Sequence, residues 1–309
     1  MITILQTQNE KLVPIEKVAD GAWVNVIDPN KEEIETLRSW GVPEDFITYP
    51  LDLDERSRTE KDDGFTLILV RIPYFQSWDE DIPYIAIPLG IIFSDTIIIT
   101  ICRYENDLIN SIIKKNGKYF STLKRNRLIL QIMLANANHF LSYLRNIQKI
   151  IDQTEDELQR SIRNKEVLEL LKYQKCLEYF STALRSNEIM FERLQRNKFF
   201  TIFPDDLDLL EDVIIENQQA IEMTGIAGNL LSQMMDAYAS IIQNNQNAIF
   251  KIMTAWTIIL SLPSIVSGFF GMNVRLPFEN NVSAFSILTG ISVAIMLVVV
   301  IFFKKINWL

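Results

Sequence analysis

The sequence predicts an α+β domain followed by a long helical hairpin and two C-terminal transmembrane helices. Three observations carry the prediction. Short runs rich in Ile, Val, Thr and aromatic residues recur through residues 1–122. From Leu123 onward apolar residues recur at threes and fours, the spacing of one helix face. Residues 252–270 and 282–303 then contain no charged side chain. Each run is about the 20 residues a helix needs to cross the hydrocarbon of a bilayer. Core helices of soluble proteins seldom extend so far without a charge.

In chain order, strands are expected at residues 2–6, 23–27, 65–72, 84–92 and 96–102. Asp28-Pro29 before Lys31-Glu32-Glu33 reads as a helix start, with a cap, an early proline and first-turn carboxylates. Gly41-Val42-Pro43 stops that helix. Residues 52–63 are dense in charge and are expected to form a loop. Asp52 and Asp54 there faintly resemble calcium ligands, but Arg56 and a missing glycine break the pattern.

The hairpin is expected over residues 123–203. Leu128, Met133, Phe140, Leu144, Ile147 and Ile151 share a face of its first helix, and its second helix covers residues 165–196. A third helix starts after Pro204, with Asp205, Asp206 and Asp208 in its first turns, and meets no proline before Pro263. Continued to residue 270, it would be about 100 Å long at 1.5 Å per residue. A helix of that length needs neighbours. Leu210, Ile214, Ile221, Leu231, Met235, Tyr238 and Ile242 offer a seam to identical helices, so an oligomer is expected. The first span occupies about residues 249–270 of this helix, 271–281 form a short loop, 282–303 the second span and 304–309 a basic tail.

Charge sets the topology. Lys251, Lys304 and Lys305 flank the outer ends of the two spans, whereas the loop has Arg275 offset by Glu279. Lysine and arginine concentrate on the cytoplasmic side, so both termini are expected in the cytoplasm of a plasma (inner) membrane protein, with the loop outside. MITILQTQNEKL lacks the basic-then-apolar order of a cleaved signal peptide. A net charge of −9 argues against nucleic acid as a partner. Cys102, Cys176 and the single histidine, His139, have no metal-ligand spacing, and no nucleophile-base pair or phosphate loop appears, so an enzyme is not expected.

One face of the first span is polar where lipid would ask for apolar. Asn247, Phe250, Thr254, Thr257, Ser261, Ser264 and Gly268 are spaced by threes and fours. Small and hydroxyl residues suit close helix packing, and they equally suit the wall of a water-filled pore. Asn244, Asn245 and Asn247 at the inner end favour the pore.

Phe270-Gly271-Met272-Asn273, closing the first span and followed by Leu276-Pro277-Phe278-Glu279, resembles the GMN signature and acidic loop of CorA-type magnesium transporters. Lys304-Lys305 and Trp308-Leu309 are similar to that family's basic C-terminus, and the likeness covers essentially the whole chain. Phe270 and Val274 depart from its usual aromatic residues, while Met272 speaks against the zinc-transporting ZntB branch. The resemblance implies a homopentameric funnel in the bilayer that passes divalent cations, with Mg²⁺ both transported and regulatory. Gly271, Met272 and Asn273 would form its selectivity filter. In that filter Gly271 would permit a sharp turn, Met272 would pack to hold the loop, and Asn273 would be more than a helix cap. A gapless count back from the signature puts Gly268, Ser264, Ser261, Met253 and Asn247 on pore-lining positions. Glu279 would attract cations outside. Cytoplasmic Mg²⁺ would be sensed by carboxylates between subunits: Asp212 and Asp236, with Asp79, Glu80 or Asp81 as partners. Transport of Co²⁺, Ni²⁺ or Zn²⁺ on the same fold, or a membrane-anchored signalling scaffold, are the alternatives.

Overall fold

The computed structural model describes residues 1–115, 121–160, 164–197, 204–272 and 283–308, with side chains at all of these except 156–160, 164–166, 204 and 205. Its N-terminal unit, Met1–Gln233, is built on a seven-stranded sheet. Strands β1 (Ile2–Gln8), β2 (Lys11–Pro14), β3 (Ala22–Ile27), β4 (Arg58–Asp62), β5 (Phe65–Phe75), β6 (Tyr84–Phe93) and β7 (Ile97–Cys102) lie in the order β2-β1-β3-β7-β6-β5-β4. Only β3 and β7 run parallel among these pairs.

The five expected strands are present. β2 and β4 were not expected, and β4 lies inside the segment read as loop. Both are made by two-residue turns. Asn9-Glu10 joins the pair Gln8 and Lys11, and Asp63-Gly64 joins Asp62 and Phe65. All four turn residues have positive φ (50°, 63°, 44° and 76°), which matches the right-handed twist of a hairpin.

Both faces of the sheet are buried, which is why its central strands are apolar nearly throughout instead of alternating. Leu67, Leu69, Ile92, Ile99 and Ile101 face α1 (Lys31–Ser39), α2 (Glu44–Thr48) and the 3₁₀ turn Tyr49–Leu51, through Leu37, Phe46 and Ile47. The cap of α1 is Asn30, not Asp28. The Asn30 side chain accepts from the Glu33 N–H and the Glu33 carboxylate accepts from the Asn30 N–H, each at 2.9 Å. Asp28 instead turns the chain out of β3 with φ 42°. The 3₁₀ turn presses so close to β6 that a Cβ on Gly90 would sit 2.3 Å from Cγ of Pro50.

Ile68, Val70, Ile72, Leu89 and Ile91 face the other way. They meet α3 (Asp107–Lys114), α4 (Arg125–Arg160), α5 (Asn164–Arg196) and the first turns of α6 (Pro204–Phe270). The helices thus complete the core of the sheet while packing on each other. Leu130, Met133, Ala137, Phe140, Leu144, Ile147 and Ile151 of α4 are buried, as are Leu170, Tyr173, Leu177, Phe180, Leu184, Asn187, Phe191 and Leu194 of α5. On α6 the buried set within this unit is Asp206, Leu210, Val213, Asn217, Ala220, Thr224, Ala227 and Leu231. Each set alternates steps of three and four, the period of supercoiled helices. Leu210 and Leu231, expected to meet identical helices, are therefore buried within their own chain, as is Tyr238. Ile214, Ile221, Met235 and Ile242 stay half-buried.

Sheet and helices are joined at Arg71. Its backbone lies past the end of β4, which stops at Arg58 opposite Leu69. The Asn187 side chain takes the place of a strand neighbour there: its Oδ1 accepts from the Arg71 N–H at 2.9 Å and its Nδ2 donates to the Arg71 carbonyl at 2.8 Å. Asn136 Nδ2 donates to the same carbonyl at 2.9 Å. The Arg71 guanidinium donates to the carbonyls of Leu53 and Glu55, tying down the charged segment before β4. These bonds satisfy backbone groups that would otherwise be buried unpaired.

His139 lies between α3 and α4, with its Nε2 3.3 Å from Ser111 Oγ. Burial pushes its pKa down, Asp107 opposes this and Lys115 adds to it. Two outcomes are expected. Gly90→Ala destabilises this unit by about 1–3 kcal/mol, because the new methyl has no room, and a thermal melt in detergent would show the lowered midpoint. A His held neutral by the fold contributes stability above its unfolded pKa of about 6.5 that is lost as pH falls through the lower folded value. Melts between pH 7.5 and 5 should show this loss, and His139→Gln should flatten it.

Candidate functional site

The two charge-free runs fold as the last part of α6 and as α7 (Ala284–Lys305). In the most apolar stretch of α6 only 11% of the residues are buried, and in that of α7 none. A core helix of a soluble protein would be mostly buried; these two present apolar side chains outward. A helix is one of the two structures that can do this in hydrocarbon, since its backbone groups pair internally.

Within the unit Met234–Leu309, α6 meets α7 through Ala255, Ile259 and Phe303, bordered by Met296, Val299 and Val300. Leu262 and Val266 are half-buried on the same side of α6. At about 100° per residue, Thr254, Thr257, Ser261, Ser264 and Gly268 lie about 150° around the helix from that side. All five are exposed, as are Asn247, Phe250 and Met253. Packing against the second span of the same chain is therefore not what the polar stripe does.

Three of the stripe's hydroxyls have a defined polarity. Thr257 Oγ1 donates to the Met253 carbonyl at 2.8 Å, Ser261 Oγ to Ile258 at 2.9 Å and Ser264 Oγ to Leu260 at 3.2 Å. Their hydrogens are thus used by their own helix, and the oxygen lone pairs remain to accept. A row of acceptors without a carboxylate suits a cation that keeps its water, because such a cation turns the hydrogens of its water shell outward.

At the outer end, α6 closes with the Gly271 N–H donating to the Ser267 carbonyl at 2.9 Å and the Met272 N–H to Phe269 at 3.4 Å. Gly271 is not in the left-handed region. What distinguishes it is space: a Cβ there would lie 3.2 Å from the Ser267 carbonyl oxygen. Met272 is 55% exposed. Asn273 and Glu279 lie outside the described residues.

At the inner end, Asn244, Asn247, Lys251, Thr254 and Trp308 line one cavity of about 580 Å³. Trp308 is held there by its ring stacking on Phe303 at 5.6 Å and by its backbone N–H, which donates to the Phe303 carbonyl. The structure thereby joins the stripe's lower end to a C-terminal tryptophan that sequence reading used only as a family mark. An amphipathic ring beside lysines is a common membrane-boundary signal that could have pointed to it.

Asp212 and Asp236 are exposed on α6. Asp79, Glu80 and Asp81 are exposed on the turn between β5 and β6, where Lys172 Nζ donates to the Glu80 carbonyl at 3.4 Å. Among the described residues, no three or more His, Cys, Asp or Glu side chains come together as a metal site.

Known proteins resemble this architecture along its whole length. The family profile described as "CorA-like Mg2+ transporter protein" matches residues 19–305. The cobalt/magnesium transport protein CorA of Methanocaldococcus jannaschii is 28% identical, covering 93% of this chain and 91% of its own. The magnesium transport protein CorA of Helicobacter pylori strain J99 is 24% identical, over 93% and 90%. The complete structure of the M. jannaschii CorA magnesium transporter superposes with a TM-score of 0.86 at 24% identity, covering 100% of this chain and 99% of that one. The chain belongs to the CorA-like Mg²⁺ transporter family, among ion transporters and not enzymes.

Proposed function

We propose that the chain forms a homopentameric channel that admits hydrated Mg²⁺ passively through an inner membrane, with both termini in the cytoplasm. The observation that carries this reading is the polar stripe of α6, exposed on the side opposite the one that packs on α7. Five such stripes facing an axis would line the path with hydroxyl and amide acceptors from Ser264 and Ser261 down to Asn247, with Gly268 above and Met253 as an apolar constriction.

Physical chemistry supports keeping the water on. Mg²⁺ sheds its hydration shell reluctantly. A ring of Asn273 amide oxygens above Gly271 and Met272 would accept hydrogen bonds from the shell's waters instead of replacing them. Glu279 would raise the local cation concentration. A membrane potential negative inside then drives a divalent ion inward by about 4.6 kcal/mol per 100 mV, twice the value for a single charge.

Asp212, Asp236 and a carboxylate among Asp79, Glu80 and Asp81 would close the channel by holding regulatory Mg²⁺ between subunits. Their exposure on the single chain leaves them free to meet a neighbour. Co²⁺ is the second ion to test, since the M. jannaschii relative is named a cobalt/magnesium transport protein.

Purified protein in liposomes with an internal Mg²⁺ dye should show influx driven by an imposed potential. Asn273→Ala should reduce that influx at least about tenfold, as losing about 1.4 kcal/mol of hydrogen bonding to the ion's waters would do. No influx from the wild type, or full influx from the variant, would refute the filter. Asp212→Ala should raise the internal Mg²⁺ needed for half-inhibition, and unchanged inhibition would remove this residue from the sensor.

A further inference from the structure

The seams joining α4, α5 and α6 are apolar apart from a few side chains. Most of these are accounted for locally. Thr154 and Thr224 donate to the carbonyls of Ile150 and Ala220, one turn back in their own helices. Asn136 and Asn187 hold the backbone of Arg71. Asn217 is different. It is 2% exposed, and its Nδ2 donates across to the Leu184 carbonyl of α5 at 3.1 Å. Leu184 lies in the middle of α5, where its carbonyl already accepts from the helix's own ladder. The bond is therefore not required to satisfy that carbonyl.

The next buried residues along α6 are Ala220, Thr224 and Ala227. Small side chains interlock weakly, so shape alone discriminates poorly between registers of α6 on α5. A buried amide in an otherwise apolar seam of this period favours the register in which it is paired, because leaving it buried without a partner is costly. α6 is one unbroken helix from Pro204 to Phe270, so an axial slip at Asn217 is carried along the helix that contains the polar stripe.

We propose that Asn217 is a positioning residue: its bond to Leu184 fixes the register of α6 against α5 and thereby sets the balance between conducting and closed channel. The second half of this proposal rests on the transport function proposed above.

The test uses full-length protein in liposomes, spin-labelled at Arg185→Cys on α5 and Gln219→Cys on α6, both exposed, with labelled subunits diluted by unlabelled ones. Cys102 and Cys176 stay unlabelled, since both are buried and their thiols are pushed up to about 11. Wild type should give one narrow distance. Asn217→Leu, which keeps the seam apolar, and Asn217→Ala should broaden it or add a second distance displaced by roughly 5 Å, one helical turn. Asn217→Gln, which retains an amide, should restore a single distance. Val213→Ala, a cavity in the same seam, should lower the melting temperature and leave the distance narrow. A wild-type distribution in both Asn217→Leu and Asn217→Ala, or equal broadening in Val213→Ala, overturns the register role whatever transport shows. Asn217→Leu should also move the Mg²⁺ concentration for half-inhibition severalfold; altered distances with unaltered inhibition overturn the coupling to conduction. Absence of Mg²⁺ flux in the wild type counts against the transport function and leaves the distance result standing.

Discussion

A helix that passes from an aqueous domain into hydrocarbon has to bury one face in both settings with a single sequence period. In α6 the buried positions from Leu210 to Leu231 advance by threes and fours, and so do Ala255, Ile259, Leu262 and Val266. Counting in sevens from Leu210 arrives at Ile259 and Val266, so both sets belong to one phase. The polar stripe depends on the same phase. Thr254, Thr257, Ser261, Ser264 and Gly268 stay off the seam because they fall on the positions opposite to it. A slip of phase would turn those hydroxyls onto α7 and apolar side chains toward the proposed water path.

The N-terminal unit meets a different demand, which is to attach long helices firmly to a sheet. Apolar contact is non-directional and does not choose among sliding registers. Direction comes from a few buried amides. Asn187 completes the hydrogen bonding of β5 where β4 has ended, Asn136 reinforces it, and Asn217 links α6 to α5. Each amide costs desolvation and returns it only in the geometry observed. Specificity of arrangement, more than added stability, is what these residues supply.

Helices and spans were legible in the sequence because their signals are long and redundant. The 3–4 repeat of α4 and the charge-free runs survive any single ambiguous residue. β2 and β4 were missed for the opposite reason, since each is short, polar and on a sheet edge. The evidence for them sat in the turns: Asp63-Gly64 is a strong hairpin signal between Asp62 and Phe65, overlooked amid the surrounding charge. The cap of α1 fell at Asn30 because Glu33 is three residues later, whereas from Asp28 no such reciprocal pair can form. The apolar residues of α6 were visible, but their owner was not. Leu210, Leu231 and Tyr238 suit a neighbouring subunit and the same chain equally well until the path of α4 and α5 is known.

For the candidate site the division is similar. Composition and spacing alone determined that a polar stripe runs along an apolar helix, because a helix places residues three and four apart on one face whatever surrounds it. Only tertiary structure decided which side of α6 the second span occupies, that the hydroxyls turn their hydrogens inward, and that Trp308 meets Asn247 and Lys251 across one cavity. These depend on how two helices rotate about their axes when they pack, and rotation is set by the shapes of both partners together, which neither sequence segment contains by itself.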